Sequence, residues 1–203
     1  MKHLSTRRQF IVTAAFIAAA IGSVPAFAQG ADPTAFLNQF ANKMVDIVNG
    51  PGDLAAKQRA LQPVIDDNVD VDAIARFCLA RFWRTATPDQ QQKYVAIFHQ
   101  VLMKNITSHL GEYQGVSFTT GGTYPQGNAT VVKTVVTRPN APPANIGWVI
   151  SNASGSPKVV DVVAEGTSLR VQTRDDYTSY LQRHGNDMNA LIAALQRQVN
   201  GGG

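Results

Sequence analysis

The side chains best equipped for chemistry in this 203-residue chain are few. Beyond residue 28 they are His99, His109, His184, the single cysteine Cys78, and Asp161, a carboxylate set among valines. His99 and His109 sit ten positions apart in a helical pattern, roughly 80° off a shared face. No Cys or carboxylate joins them in a ligand pattern such as H-E-x-x-H, and His184 falls near a helix end, so no metal site is expected. There is no G-x-S-x-G, no P-loop and no dinucleotide-binding glycine pattern, so no cofactor is expected. Cys78 lies on an apolar helix face and reads as a small buried hydrophobe; alone, it forms no internal disulfide.

Asp161 admits two readings, because a carboxylate among apolar residues must be satisfied or protonated. As a general base it would sit at the floor of a cone-shaped pocket, as in a small isomerase or hydratase, and would need a partner acid that the sequence does not place. As a structural group it would pair with an arginine or cap backbone N–H groups, with Arg81, Arg84 and Arg174 as candidates. Arg81-Phe82-Trp83-Arg84 is either a partner-facing patch or an inter-helix loop whose aromatics plug the core.

The elements that must position these groups follow from periodicity. Asp32 and Pro33 open a helix carrying Phe36, Leu37, Phe40, Met44, Ile47 and Val48, stopped by Asn49-Gly50-Pro51-Gly52. A second helix is expected over residues 53–66, weakened by Pro63, and a third over 71–79. Thr87-Pro88 then starts a long helix, residues 88–113, with Phe98, Leu102 and Ile106 on its apolar stripe. After Gly115 the period changes to two, predicting strands over 116–120, 128–138, 145–151 and 159–164, and a fifth over 167–173. Gly121-Gly122 and residues 139–143 read as turns between them. Helices over 174–184 and 187–199 close the chain. The fold class is therefore α+β: helices first, a curved antiparallel sheet of four to five strands, helices last.

Residues 1–28 read as an export signal. Lys2, Arg7 and Arg8 precede an apolar run over 10–21, and Ala26-Phe27-Ala28 forms a small-x-small cleavage site. Ser5-Thr6-Arg7-Arg8-Gln9-Phe10 is also similar to a twin-arginine signal. A single domain is expected over 29–200, with a flexible tail at 201–203, delivered to the periplasm without stable membrane insertion. Three of the 18 Lys and Arg side chains leave with the signal, so the remainder nearly balances 14 Asp and Glu. That balance offers no electrostatic footprint for nucleic acid.

The strands carry apolar residues on both faces: Val131-Val132, Val135-Val136, Ile146, Trp148, Ile150 and residues 159–163. Such a sheet is covered on both sides by helices, or lines a cavity for an apolar ligand on one of them.

Four segments now carry a resemblance to a known family. They are Phe82-Trp83-Arg84-Thr85-Ala86-Thr87-Pro88-Asp89-Gln90, Ser108-His109-Leu110-Gly111-Glu112-Tyr113, Val159-Val160-Asp161-Val162-Val163-Ala164-Glu165-Gly166-Thr167-Ser168-Leu169, and Gly185-Asn186-Asp187-Met188-Asn189-Ala190-Leu191-Ile192. Together, in order over residues 36–195, they resemble the MlaC-type periplasmic phospholipid-binding proteins of the lipid-asymmetry and toluene-tolerance transport systems, which have a hopanoid-associated branch. The chain departs from that pattern after Leu169 and in the small Thr167. The resemblance implies a non-enzymatic lipid carrier working between an inner-membrane ABC transporter complex and an outer-membrane lipoprotein–porin complex. Its cargo would be a phospholipid or a hopanoid. Periodicity then assigns Phe98, Leu102 and Ile106 on the long helix, and Val132, Trp148 and Val163 on the sheet, to an apolar lipid pocket. Asp161, Trp83 and Arg84 are left as structural or partner-facing groups.

Overall fold

The computed structural model describes residues 32–201. The expected export segment, 1–28, and the last two residues of the expected tail lie outside the described residues.

The start of every described α-helix except the one-turn α4 is set by a side chain that satisfies orphan N–H groups of the first turn. Asp32 Oδ1 accepts from Thr34 N at 3.0 Å and opens α1, Pro33–Asn49. Asp53 does the same for α2, Leu54–Asn68, through Ala56 N, and Asp70 for α3, Val71–Leu79, through Ala73 N. A one-turn helix α4, Phe82–Thr85, leads into α5, Pro88–Thr107, whose Thr87 and Gln90 form a reciprocal capping box. Pro63 lies inside α2 without ending it. The long helix stops six residues before the expected 113. Thr107 Oγ1 bonds back to Met103 O at 2.8 Å, and the chain then tightens into a 3-10 turn, Leu110–Tyr113. That turn swings Leu110 into a cluster with Val48, Leu61 and Val116, so tertiary packing overrides helical periodicity there.

The sheet is an antiparallel meander of five strands in the order β1 to β5: Ser117–Gln126, Ala129–Arg138, Ala141–Ser151, Lys158–Ala164 and Thr167–Ser168. The Gly121-Gly122 turn expected from the sequence is instead a register irregularity inside β1 between Thr120 and Thr123. The real hairpin is the two-residue turn Gly127-Asn128, where Gly127 has φ +59°. β3 likewise begins earlier than expected and includes Pro142 and Pro143. The expected strand over 167–173 is reduced to Thr167–Ser168, because α6, Leu169–Arg183, starts there. α7, Met188–Val199, closes the fold.

α1 and α2 cover one face of the sheet, where Leu37, Phe40 and Ile65 meet Val132, Ile150 and Val159. α3 to α7 form a helical core around the fully buried Tyr94, whose hydroxyl donates to Ala75 O at 3.0 Å. α3 and α6 reach the opposite face of the sheet at β4, and Asp70 N ties the α2–α3 link to Val159 O at 3.0 Å. Asn49 fastens the end of α1 to the start of the sheet, accepting from Gly115 N at 2.8 Å and donating to Val116 O at 3.0 Å. Gly115 has φ +78°, and a Cβ there would come 2.9 Å from the Pro139 ring.

Replacing Thr87 by Ala removes one half of the capping box while leaving the core untouched. The expected loss is about 1 kcal/mol, read from urea denaturation.

Candidate functional site

Between the α1-facing side of the sheet, α1 and the C-terminal end of α5 lies a cavity of about 420 Å³. The sheet contributes Val136, Ile146, Trp148 and Val162; α1 contributes Met44 and Val45; Ile106 and Leu110 complete the apolar wall. Except for Leu110, these side chains are only half-buried although they sit inside the fold, and their remaining exposure borders the void. Trp148 is fixed at both ends: Nε1 donates to Thr134 Oγ1 at 3.0 Å, and the ring meets Phe40 edge-on with centroids 5.9 Å apart. Thr134 Oγ1 in turn donates to Ile146 O at 3.3 Å. With its polar tip satisfied inside the sheet, the indole presents apolar surface. Around the C-terminal end of α5 the rim is polar, formed by Asn105, His109, Tyr113 and Arg138.

The structure places Ile106 and Trp148 in the cavity wall. Phe98 packs instead between Tyr94 and Tyr177 in the helical core, at centroid separations of 5.8 and 6.4 Å, and Leu102 flanks the same core. Val132 is fully buried against the α1–α2 cluster. Val163 faces the other side of the sheet with Val131 and Val149, and its neighbour Val162 takes the cavity position. The contribution of α1 is not among the expected lining. Its signal was present in Met44-Val45-Val48, which together with Phe36, Leu37, Phe40 and Ala41 make the helix apolar over more than one face.

The slip at Val163 traces to β4. Val149 pairs with Asp161 but Ile150 pairs with Val159, so Val160 is an extra residue and the strand bulges there. The bulge puts Asp161 on the face away from the cavity, where its side chain is 1% exposed. There Oδ1 accepts from Val162 N at 2.8 Å and Arg170 N at 3.1 Å, and Oδ2 accepts from Ser168 Oγ at 2.5 Å. Arg170, not Arg81, Arg84 or Arg174, is its cation, with Nε 3.4 Å from Oδ2 but not aligned for a hydrogen bond. The Arg170 guanidinium also lies 4.4 Å from the Phe77 ring centre. Because α6 begins at Leu169, Arg170 occupies the first turn of a helix and turns its N–H toward the carboxylate. Asp161 is therefore an anchor for β4, β5 and α6, and its lone pairs are engaged outside the cavity; a base working in the cavity would need that carboxylate on the other side of the sheet.

Cys78 is fully buried, with Sγ 3.5 Å from Arg170 O. Burial, reinforced by the charge of Asp161, pushes its thiol up to about 12. The histidines are dispersed: His99 Nε2 is 2.6 Å from Asp66, His109 Nδ1 is 2.8 Å from Glu112, and His184 stacks on Tyr180. Among the described residues no group of three or more His, Cys, Asp or Glu side chains is arranged to hold a metal ion. Phe82 plugs the helical core, Trp83 is half-buried under the Arg76 guanidinium at 5.2 Å, and Arg84 is exposed.

The sequence pattern described as MlaC protein matches residues 38–197, which include most of α1, the sheet, α5 and the cavity between them. The chain belongs to the MlaC family. A relative, toluene tolerance protein ttg2D of Pseudomonas putida, is 28% identical over 142 residues, 69% of this chain and 66% of that protein's length. A phospholipid-binding protein from Ralstonia solanacearum, solved in complex with a phospholipid, has the same fold. It superposes with a TM-score of 0.75 at 19% identity, covering 84% of this chain and 98% of that one.

Two outcomes follow for the buried polar groups of this MlaC chain. Asp161→Ala leaves Arg170 and the first turn of α6 without their acceptor, and is expected to cost about 3 kcal/mol, a fall of roughly 6–12 °C in thermal midpoint. Cys78 is expected to stay unmodified by iodoacetamide at pH 8 in the folded protein and to react once denatured, as followed by intact-mass measurement.

Proposed function

We propose that this MlaC-family chain is a periplasmic phospholipid carrier that holds acyl chains in the cavity between the sheet, α1 and α5. The observation that supports it most is the cavity's division into an apolar interior and a polar rim at one end. Acyl chains gain about 0.8 kcal/mol for each buried CH₂, so a protein that removes a lipid from a bilayer must offer a dry wall of this kind. The Ralstonia solanacearum relative of the same fold was solved with a phospholipid bound, which supports the cargo. Export is supported by the signal-like composition of residues 1–28, and no described helix is long and apolar enough to cross a membrane.

On this reading the chain exchanges lipid with an inner-membrane ABC transporter complex on one side and an outer-membrane lipoprotein–porin complex on the other. The exposed Arg84 beside Trp83 is a surface available to such partners.

Protein purified from its own periplasm is expected to carry diacyl phospholipid in native mass spectrometry. Ile106→Trp, which fills the cavity from α5, is expected to lose most of that lipid without lowering the thermal midpoint. An empty wild-type protein that takes nothing from vesicles would refute the carrier.

A further inference from the structure

The cavity wall among the described residues contains no acidic side chain, and Arg138 is its one permanently charged group. Its place is set by the backbone: the β2–β3 register shifts between Val136 and Arg138 just before the tight turn to Ala141, and Val136 on the same strand lines the apolar interior. The guanidinium lies over the Tyr113 ring, 4.7 Å from its centre, a cation–π contact that keeps it at the rim. It makes no hydrogen bond among the described residues. Its nearest anion, Glu112 Oε2, is 3.9 Å away on a side chain that is 62% exposed. A guanidinium has five donors in a fork that fits two oxygens of one anion, so a cation on the wall of an apolar chamber, with no hydrogen bond among the described residues, is an incomplete site.

Glu112 also accepts from His109 Nδ1 at 2.8 Å, and both of these side chains are largely exposed. One exposed carboxylate thus serves two rim groups, neither of which is buried with it. An exposed pair of this kind is weak and readily exchanged. The polarity is confined to this end, since the one hydroxyl deeper in the cavity, on Thr134, is engaged with Trp148 and Ile146.

We propose that Arg138 is the headgroup clamp of the cavity: it takes the two non-bridging oxygens of a phosphodiester, with His109 beside it, and Glu112 is the counter-ion that the phosphate displaces. This rests on the reading of the cavity as a phospholipid site and specifies what that site selects. An uncharged lipid, including an unsubstituted polycyclic one, would bury its apolar body equally well but leave Arg138 without its anion. The clamp therefore favours phosphate-headed cargo over neutral cargo of the same chain length.

The test uses the full mature protein incubated with vesicles containing equal amounts of dioleoyl phosphatidylcholine and dioleoylglycerol, which share their chains and differ in the phosphodiester. Native mass spectrometry reads the ratio of the two bound lipids. Wild type is expected to favour the phospholipid by at least about tenfold, and Arg138→Gln to lower that ratio by about tenfold at an unchanged thermal midpoint. Glu112→Gln, which removes the competing carboxylate, is expected to raise phospholipid retention, and keeps the test decisive should Arg138→Gln fold poorly. Equal ratios in wild type and Arg138→Gln, or retention unchanged by Glu112→Gln, overturn the clamp while leaving a carrier that binds by its chains alone. Uptake of neither lipid overturns the carrier and the clamp with it. Millimolar inorganic phosphate is the control for a free ion. If it stabilises wild type but not Arg138→Gln while the lipid ratio stays near one, Arg138 serves free phosphate and the clamp is overturned.

Discussion

A buried carboxylate that gathers its own donors is the joint on which this structure turns. Asp161 accepts from Val162 N, Arg170 N and Ser168 Oγ, binding the end of β4, the two residues of β5 and the first turn of α6 into one unit. Charged groups are costly to bury unless every acceptor site is used, so the geometry around this one is tightly constrained. Leu169, flanked in sequence by the two tethered residues Ser168 and Arg170, is thereby presented at the edge of the cavity although it is 45% exposed. An apolar side chain at such a place is held by the polar contacts of its two chain neighbours rather than by its own packing.

The same joint explains why the two faces of the sheet behave differently. The extra residue Val160 in β4 sends Asp161 toward α3 and α6, where Arg170 and the helix N-terminus receive it, and sends Val162 toward α1. Had the strand continued in register, the carboxylate would have pointed into the void and the chamber would have been acidic. Instead the polar demand of β4 is met on one side, and the other side is left to Trp148, Ile146 and the aliphatic residues of α1.

Local signals in the sequence carried the helices well. Asp32, Asp53 and Thr87 cap where their side-chain chemistry says they should, and α3 spans the residues its periodicity assigns. The errors cluster where a distant group decides. Residues 169–173 look strand-like by themselves, and only the approach of Asp161 from β4 and the cap of Ser168 make them helical. Leu110 belongs to the apolar stripe of α5 until α1 and α2 offer it a better place. Val163 misses the cavity because alternation along a strand cannot register a bulge, and one extra residue exchanges the faces of everything that follows. Val132 fails differently: it shares the cavity's face of the sheet with Trp148 but is sealed under α1 and α2, while Phe98 and Leu102 lie one to two turns before Ile106, where α5 already belongs to the helical core.

The irregular first strand has its own consequence. β1 is the outermost strand of the meander, and ten residues of exposed backbone would ordinarily invite a second molecule to zip on. The pairing of β1 breaks between Thr120 and Thr123, Pro125 lacks a donor, and Thr120 is turned toward Asn38 of α1. A neighbouring chain would find no long uninterrupted ladder to copy. A protein that must keep an oily chamber open to its surroundings is thus guarded against the most common route of β-sheet proteins into aggregates, at the point where its fold is least covered.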